Sequence, residues 1–316
     1  MSRKVIIIGA GAAGLTCAKR LIENGFEVSI FDKSRGLGGR MASRRIKNGG
    51  FNHGASVIPD FRNQKTVPEH LKNLLETAVE KKVLISQGNA FTPFAGMKTF
   101  TSYLSEGIDV QKDSELISVT PANSGIELQL NNASKMQVNE AFLIFAIPQP
   151  QLLALLQNHF PEIFILVQPA KMYASVTGLF AFDKKILFDH SLLENERIYS
   201  FHENSRIGQH FIHDCWTIHS KNSYGKKLSH LDKTKIKDHL FNEFKQLVSI
   251  NLPQPVYAEG HRWRYGFTKK ALDKNFIFHR QNKIGICGDW CRGDNLLDAL
   301  ISGTLLADKI SATVIE

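Results

Sequence analysis

The first hydrophobic run of the chain predicts a short buried strand that leads into a helix. Residues 5–8 are all Val or Ile, and a glycine-rich segment, residues 9–14, separates them from a segment of helical composition. A second apolar stretch, residues 28–31, ends at Asp32. An apolar run, a glycine turn, a helix and a second apolar run are typical of a βαβ unit. Residues 4–32 are therefore predicted to form one.

A similar pattern occurs near the C-terminus. Residues 283–287 read as a short buried strand that runs into the turn Gly288-Asp289. Residues 295–310 follow with apolar positions at helical spacing, Leu296, Leu300, Ile301 and Leu305. This spacing predicts an amphipathic helix with one apolar face.

The middle of the chain predicts strands in two groups. In residues 96–148 we predict a helix over 97–104 and strands over 108–110, 115–119, 125–130 and 141–147. Further on, strands at 175–182, 199–202 and 211–220 suggest an antiparallel sheet, with helices at 68–82 and 233–248 beside it. The second of these helices has Ile236, Leu240, Phe244 and Leu247 on one face.

The glycines of the first unit point to phosphate binding. Gly9 permits a tight turn, Gly11 lets the backbone approach a pyrophosphate, and Gly14 lets the helix lie close to the strand. The free N–H groups at the start of the helix face the phosphates, with the helix dipole in support. Asp32 follows Gly14 by 18 residues and is placed to bond a ribose hydroxyl. The unit is therefore predicted to bind a dinucleotide.

A second glycine loop comes directly after the second strand. Residues 35–41 contain Gly38, Gly39 and Arg40, which suit a second backbone approach to a diphosphate with a fixed cation. The alternative is an ordinary glycine-rich loop. With this segment the sequence resembles flavin-binding oxidases of the amine oxidase type, in which GxGxxG, an acid and then GGR bind FAD. In those proteins the equivalents of Gly39 and Arg40 contact the diphosphate.

Further motifs resemble renalase and its bacterial relatives over nearly the whole chain. They are residues 51–55, 92–97, 146–148, 216–219, 261–265 and 288–291, in the order and at about the spacing of that family. Two segments depart from its pattern: Asn52 stands where relatives usually carry Asp, and residues 292–296 are less glycine-rich. The resemblance implies non-covalent FAD, held by Gly9, Gly11, Ala12, Ala13, Gly14, Asp32, Lys33, Gly39, Arg40, His53, Gly54, Ala55, Ile117, Gly288, Asp289 and Leu296.

The predicted fold is α/β. A discontinuous Rossmann-like FAD-binding domain takes residues 1–54, 96–148 and 276–316. A second, α+β substrate domain built on an antiparallel sheet takes residues 55–95 and 149–275. A chain of 316 residues is longer than one hydrophobic core usually stabilises, and its 43% hydrophobic residues can fill two cores.

The matching motifs also supply candidates for the substrate face. Tyr265 is the preferred polar group above the flavin ring, with Arg262 or Arg264 as a diphosphate partner. The alternative is that these aromatic and arginine side chains are structural and form part of the core and a salt bridge. His53 would lie near the flavin, although a lone histidine is more often a packed or capping residue. His219 and Trp216 share a strand, where alternation places them on opposite faces, so a regular strand cannot bring both to one slot.

Charge and cysteine content exclude several other functions. The net charge of +9 is spread along the chain, and its densest stretch, residues 221–245, has seven lysines against three acids. We interpret this stretch as a solvated helix face rather than a nucleic-acid site. The four cysteines form no CxxC, and Cys291 is the only candidate for a covalent flavin tether near the C-terminus. The histidines lack HxxxH and HExxH spacing, so no metal site is predicted.

The predicted activity follows from the resemblance. Renalase-like enzymes oxidise the 2- and 6-dihydro isomers of β-NAD(P)H, pass a hydride to flavin N5 and reduce O₂ to hydrogen peroxide. An amine oxidase or a lipid desaturase is the first alternative, although no lysine or aromatic cage of the amine oxidase kind is identified. A flavin-binding redox sensor without turnover is the second. No apolar run reaches the roughly 20 residues that span a bilayer, so we expect a cytoplasmic protein without membrane contact.

Overall fold

The computed structural model describes residues 3–187, 193–206 and 211–315. The helices of these residues are α1 (Ala12–Glu23), α2 (Glu69–Glu80), α3 (Met97–Ser105), α4 (Gln149–Leu156), α5 (Pro161–Val167), α6 (Glu203–Arg206), α7 (Asn222–Leu228), α8 (Lys233–Val248), α9 (Asp289–Arg292) and α10 (Leu296–Ile315). The strands are β1 (Lys4–Ile8), β2 (Glu27–Phe31), β3 (Ser43–Ile46), β4 (Gly49–Asn52), β5 (Ile58–Pro59), β6 (Leu84–Gln87), β7 (Ala90–Pro93), β8 (Asp109–Gln111), β9 (Leu116–Ala122), β10 (Gly125–Leu130), β11 (Lys135–Val138), β12 (Phe142–Phe145), β13 (Lys171–Phe182), β14 (Ile198–His202), β15 (Asp214–Ser220), β16 (Tyr257–Lys270), β17 (Ile277–His279) and β18 (Ile284–Ile286).

A six-stranded sheet forms the first half of the molecule, in the order β17-β18-β12-β1-β2-β8. The strands from β18 to β8 are parallel, and only β17 at the edge is antiparallel. Parallel strands place their carboxyl ends at one edge of the sheet, which is where ligands of such folds bind. The predicted βαβ unit is confirmed, since β1 pairs in parallel with β2 and α1 connects them.

Helix α1 is held between the sheet and α10 by two close backbone approaches. A Cβ atom on Gly14 would lie 2.0 Å from the carbonyl oxygen of Gly9, and one on Gly303 would lie 2.1 Å from the carbonyl oxygen of Ala13. Neither position can carry a larger residue unless the backbone moves. The prediction that Gly14 permits close helix packing is thereby confirmed, and the C-terminal helix is fixed against the start of α1.

The second half contains a four-stranded antiparallel sheet in the order β14-β15-β13-β16. One face of this sheet packs on α8, where Val176, Phe180 and Trp216 share a buried cluster with Leu240 and Phe244. The opposite face carries Thr177 and His219, and it lies toward the first half because the Thr177 hydroxyl contacts the backbone of His53. The antiparallel sheet and the helix over residues 233–248 are confirmed.

The segment between the first unit and α3 packs on the parallel sheet. Ile58, Phe61, Leu71 and Phe91 belong to the same buried cluster as β1, α1 and α10. Side chains of residues 58–93 therefore share a core with the parallel sheet, while the predicted domain boundaries stay a prediction. Strand β16 lies outside the strands predicted above, although Trp263, Tyr265 and Phe267 stand at alternate positions in it.

Candidate cofactor and substrate site

Two glycine loops meet at the carboxyl ends of the parallel strands. Gly9 has a φ of +107°, and a Cβ atom there would lie 2.6 Å from the carbonyl oxygen of Ala146, so the turn requires glycine. The second loop lies directly beside the first, because the N–H of Gly38 donates to the carbonyl of Ala10 over 2.8 Å. A Cβ atom on Gly11, in contrast, would meet nothing within 4 Å. The loops therefore enclose an open space at the N-terminus of α1.

Asp32 is fixed at the rim of this space. Its carboxylate accepts the N–H of Ala10 over 2.7 Å and the N–H of Ser34 over 2.8 Å. The side chain is buried, so the two backbone donors hold an otherwise costly charge in place. Each carboxylate oxygen keeps a lone pair for a further donor such as a ribose hydroxyl.

The start of β9 lies beside Asp32. The N–H of Ser114 donates to the backbone carbonyl of Asp32 over 2.9 Å, which brings residues 114–117 beside the acid. Ile117 is 52% exposed, so it is open to a ligand at this edge. The amino group of Lys33 lies 3.7 Å from Glu115. The roles of Ile117 and Lys33 stay predictions.

Arg40 and Asp289 form a bidentate ion pair that joins the two ends of the chain. The two terminal nitrogens of Arg40 lie 2.8 Å and 2.5 Å from the two carboxylate oxygens of Asp289. Burial opposes the charge on Arg40, but the Asp289 carboxylate outweighs it and raises the pKa of the guanidinium. Asp289 also accepts the hydroxyl of Thr268, on β16, over 3.0 Å. The second glycine loop, the C-terminal turn and the antiparallel sheet thus meet at one carboxylate.

The predicted segment 53–55 is attached to the same point. The N–H of Ala55 donates to the carbonyl of Arg40 over 2.8 Å. A Cβ atom on Gly54 would lie only 1.9 Å from that carbonyl oxygen, so glycine is required there. His53 is therefore held next to the second glycine loop, where the resemblance expects the flavin.

These features fit FAD. The open space beside Gly11 suits a diphosphate, and the Asp32 carboxylate suits a ribose. The Gly288 turn is held on α10, because its N–H donates to the hydroxyl of Ser302, and Leu296 at the start of that helix is buried. Ala12 and Ala13 open α1, whose first N–H groups face the loops. The individual contacts of these residues with the cofactor remain predictions.

Beyond Arg40, six aromatic and imidazole rings lie at the face of the antiparallel sheet opposite α8, and we call them the ring cluster. They are His53, Tyr199, Phe201, His219, His261 and Trp263. His53 stacks on Trp263 with ring centroids 5.4 Å apart and meets the edge of His261 at 4.8 Å. Tyr199 stacks on His219 at 5.0 Å.

Thr177 joins the two halves of the ring cluster. Its hydroxyl lies 3.0 Å from Nδ1 of His219 and 3.5 Å from the backbone carbonyl of His53. The indole N–H of Trp263 donates to the same carbonyl over 2.9 Å. The backbone of His53 and the ring of His219 are therefore both fixed from the middle of the sheet.

Two histidines of the ring cluster are neutral at physiological pH. Burial, with help from the neighbouring His261 and Arg44, lowers the pKa of His53 to about 3. Burial, followed by the charges of Lys233 and Arg44, lowers the pKa of His261 to about 4. The cluster consequently offers flat surfaces and neutral hydrogen-bonding groups.

The neutral His53 predicts an acid-sensitive fold. Its pKa lies below the ordinary value of 6.5, so at pH values under 6.5 the unfolded chain binds a proton that the folded chain does not. Stability from this group is therefore full above pH 6.5 and falls as the pH drops toward 3, by on the order of 2 kcal/mol between pH 6.5 and 5. Thermal unfolding of His53→Gln from pH 8 to 5 should show a smaller loss than the unmodified protein.

His239→Gln is the matched control for this measurement, because His239 lies exposed on α8. Its unfolding temperature should follow that of the unmodified protein at every pH. An equal acid loss in His53→Gln would contradict the assignment of a buried neutral imidazole.

The structure corrects several of the substrate residues predicted from sequence. Trp216 is fully buried on the α8 face, where it packs on Phe244, so it does not share a slot with His219. Arg262 also lies on that face, since its guanidinium donates to the carbonyl of Ser229 over 3.0 Å. Both corrections follow from strand alternation.

Arg264 and Tyr265 lie where β16 is irregular. Arg264 is exposed and Tyr265 is half-buried, and β16 is irregular at this point, where its register with β13 shifts. Their roles stay predictions. The residues that sequence reasoning did not single out are Tyr199, Phe201, Thr177, His261 and Trp263, and only alternation along three separate strands could have indicated them.

The cysteines do not provide a reactive thiol at this site. Cys291 is fully buried, and burial raises the pKa of its thiol well above the usual range. A protonated, enclosed thiol is a poor nucleophile, which supports the prediction of non-covalent FAD. Among the described residues no group of three or more His, Cys, Asp and Glu side chains could hold a metal ion. Within the same residues no helix is long and apolar enough to cross a membrane.

Comparison with known proteins identifies the dinucleotide-binding part of the chain. Residues 7–74 match the family of NAD(P)-binding Rossmann-like domains. A segment of 72 residues is 36% identical to 4,4'-diaponeurosporene oxygenase of Staphylococcus haemolyticus (strain JCSC1435), covering 23% of this chain and 13% of that protein. A segment of 56 residues is 34% identical to the zeta-carotene-forming phytoene desaturase of Myxococcus xanthus, covering 18% and 11%.

These matches span only about an eighth of the two carotenoid enzymes. A solved structure, a putative protoporphyrinogen oxidase from Exiguobacterium sp. 255-15, superposes with a TM-score of 0.74 over 99% of each chain at 12% identity. This likeness establishes the fold along the whole chain. Residues 7–74 are therefore an NAD(P)-binding Rossmann-like domain, in keeping with the predicted cofactor FAD.

Proposed function

We propose that the protein is an FAD-dependent oxidase that acts on the 2- and 6-dihydro isomers of β-NAD(P)H. The observation that carries the proposal is the ring cluster, a surface of flat and largely uncharged side chains next to Arg40 and the second glycine loop. A dihydronicotinamide ring is flat, uncharged and unsaturated, and it suits such a surface.

FAD held by the two glycine loops would supply the redox chemistry, in which a hydride from the substrate and one proton from solvent reduce O₂ to hydrogen peroxide. The substrate already holds a labile dihydropyridine C–H, so no strong base is needed. This agrees with His53 and His261, whose pKa values of about 3 and about 4 keep them neutral. They can bind and orient a carboxamide without an accompanying charge.

The polar atoms of the ring cluster would orient the substrate. Thr177 fixes the His219 ring through Nδ1, and the Trp263 indole fixes the His53 backbone, so their rings are held before a ligand arrives. Preorganised groups lose little entropy when they bind. The predicted partners remain a small dinucleotide and O₂, without nucleic acid.

An alternative substrate class is favoured by the matched segments. The segments shared with the carotenoid oxygenase and desaturase point to an extended apolar polyene, which the aromatic members of the cluster could also contact. Against it stand the polar side chains of His53, His219 and Thr177, which offer hydrogen bonds that an all-carbon substrate cannot use. An amine substrate is the other alternative.

Anaerobic mixing tests the proposal. The purified protein, with its FAD content measured after acid precipitation, is mixed with NADH preparations enriched in the isomers, with ordinary β-NADH, with benzylamine and with a detergent-dispersed carotenoid. We expect the isomers to bleach the flavin band at least about tenfold faster than the others, a barrier difference of roughly 1.4 kcal/mol. His261→Phe keeps a ring but loses its polar edge, and should slow this reduction, while His239→Gln should not.

Faster reduction by the amine or the carotenoid would transfer the assignment to that substrate class. No reduction by any of the four would favour a flavin-binding sensor without turnover.

A further inference from the structure

A buried carboxylate bridges the two halves of the molecule behind the ring cluster. Glu203, the first residue of α6, is fully buried. It accepts the hydroxyl of Thr217 over 2.5 Å and the backbone N–H of Asn52 over 3.1 Å, and the Asn52 amide nitrogen lies 3.5 Å away. Burial of a carboxylate costs several kcal/mol of folding free energy unless hydrogen-bond donors surround it. The position of Glu203 between the two halves of the molecule therefore points to a role for this carboxylate.

Both partners of Glu203 lie next to members of the ring cluster. Asn52 ends β4 and precedes His53 in the chain, while Thr217 lies two residues before His219 on β15 and points to the same face of the sheet. One carboxylate therefore holds the strand that carries His53 and the strand that carries His219. Thr177 bridges the same two strands at a second point.

The amide at position 52 matches this carboxylate. The side-chain oxygen of Asn52 accepts the N–H of Met97 over 2.8 Å and the hydroxyl of Ser43 over 3.0 Å. Its amide nitrogen is then directed to Glu203. An aspartate could accept from Met97 and Ser43 in the same way, but it would place a second carboxylate against Glu203 with no proton to donate.

We propose that Glu203 is a positioning residue that sets the separation of His53 and His219 across the ring cluster, and that its carboxylate is the reason for an amide at position 52. The hydrogen bonds described for Glu203 join it to Asn52 and Thr217. It acts through Asn52 and Thr217, so its loss alters the shape of the pocket and leaves the FAD loops intact.

A swap of the two side chains tests the proposal. Asn52→Asp places two carboxylates together, Glu203→Gln places two amides together, and the double variant restores one carboxylate and one amide in exchanged positions. We expect each single variant to retain FAD, to alter the visible circular dichroism of the bound flavin and to raise the KM for the reducing dinucleotide isomer about tenfold or more. The double variant should recover to within about threefold, since the two sites are in direct contact and their effects are not additive.

Glu243→Gln is the matched control. Glu243 is also a buried carboxylate of this half, but its partners Arg197 and Tyr224 lie away from the ring cluster. It should lower the unfolding temperature as Glu203→Gln does and leave the flavin dichroism and the KM unchanged. Thr217→Val, which removes one donor only, gives a milder version of the effect if Asn52→Asp does not fold.

The kinetic measurement rests on the proposed function, whereas the flavin dichroism needs no substrate. If the isomers fail to reduce the unmodified protein, the dichroism of the swap variants still decides whether Glu203 positions the pocket. The proposal would be overturned if the single variants changed only the unfolding temperature, as is expected of Glu243→Gln. It would also be overturned if the double variant altered the dichroism and the KM as much as the two single variants do together.

Discussion

Replacement of Gly11 by valine is expected to give a folded protein that contains no FAD. A Cβ atom at Gly11 would meet nothing within 4 Å, and the backbone there is extended with φ −79° and ψ −176°, so the fold has room for the side chain. That room is the space between the two glycine loops, where the diphosphate of the cofactor would lie. We expect FAD affinity to fall by on the order of 100-fold or more, about 2.8 kcal/mol.

Two other glycines provide the comparison. Gly14→Val should fail to fold, because its Cβ would lie 2.0 Å from the carbonyl oxygen of Gly9. Gly36→Ala should keep both fold and FAD, since Gly36 is exposed in the second loop and has no neighbour within 4 Å of its Cβ. The measurements are the flavin released by acid and the thermal unfolding of each variant. Full FAD occupancy in Gly11→Val would place the diphosphate elsewhere.

The sequence predicted well those parts of the structure that depend on neighbouring residues. The helix over residues 233–248 and the strand over 125–130 have the predicted bounds, because their apolar spacing and turn residues are local signals. The glycine turn and Asp32 are likewise predictable from local signals, since the whole first βαβ unit lies within about thirty residues.

The ring cluster could not be predicted in the same way. Its members come from β14, β15, β16 and the residue that follows β4, and the strand order β14-β15-β13-β16 brings the first three strands together. How Tyr265 is placed relative to His261 and Trp263 depends on the shift in register between β13 and β16, which the sequence does not reveal. Arg40 was expected on a diphosphate, and its pairing with Asp289, 249 residues away, has no local signal.

The ion pair between Arg40 and Asp289 leads to the second prediction with a large expected effect, which concerns the removal of the Arg40 side chain. Asp289 has only 5% of its side chain exposed, so Arg40→Met leaves a buried carboxylate with the Thr268 hydroxyl as its remaining side-chain donor among the bonds described above. Breaking a buried ion pair from one side costs about 3–5 kcal/mol. We therefore expect Arg40→Met to be strongly destabilised in chemical unfolding even after FAD has been removed.

The double variant Arg40→Met with Asp289→Asn separates this role from diphosphate binding. It removes both charges, so its unfolding free energy should exceed that of Arg40→Met alone. The destabilisation of the double variant should be smaller than the sum of the destabilisations of the two single variants. FAD affinity should remain low in the double variant if Arg40 also contacts the diphosphate, because that contact cannot be restored by neutralising Asp289. If Arg40→Met leaves the FAD-free protein as stable as before and lowers only FAD affinity, the guanidinium serves the cofactor alone and the ion pair contributes nothing to joining the two ends of the chain.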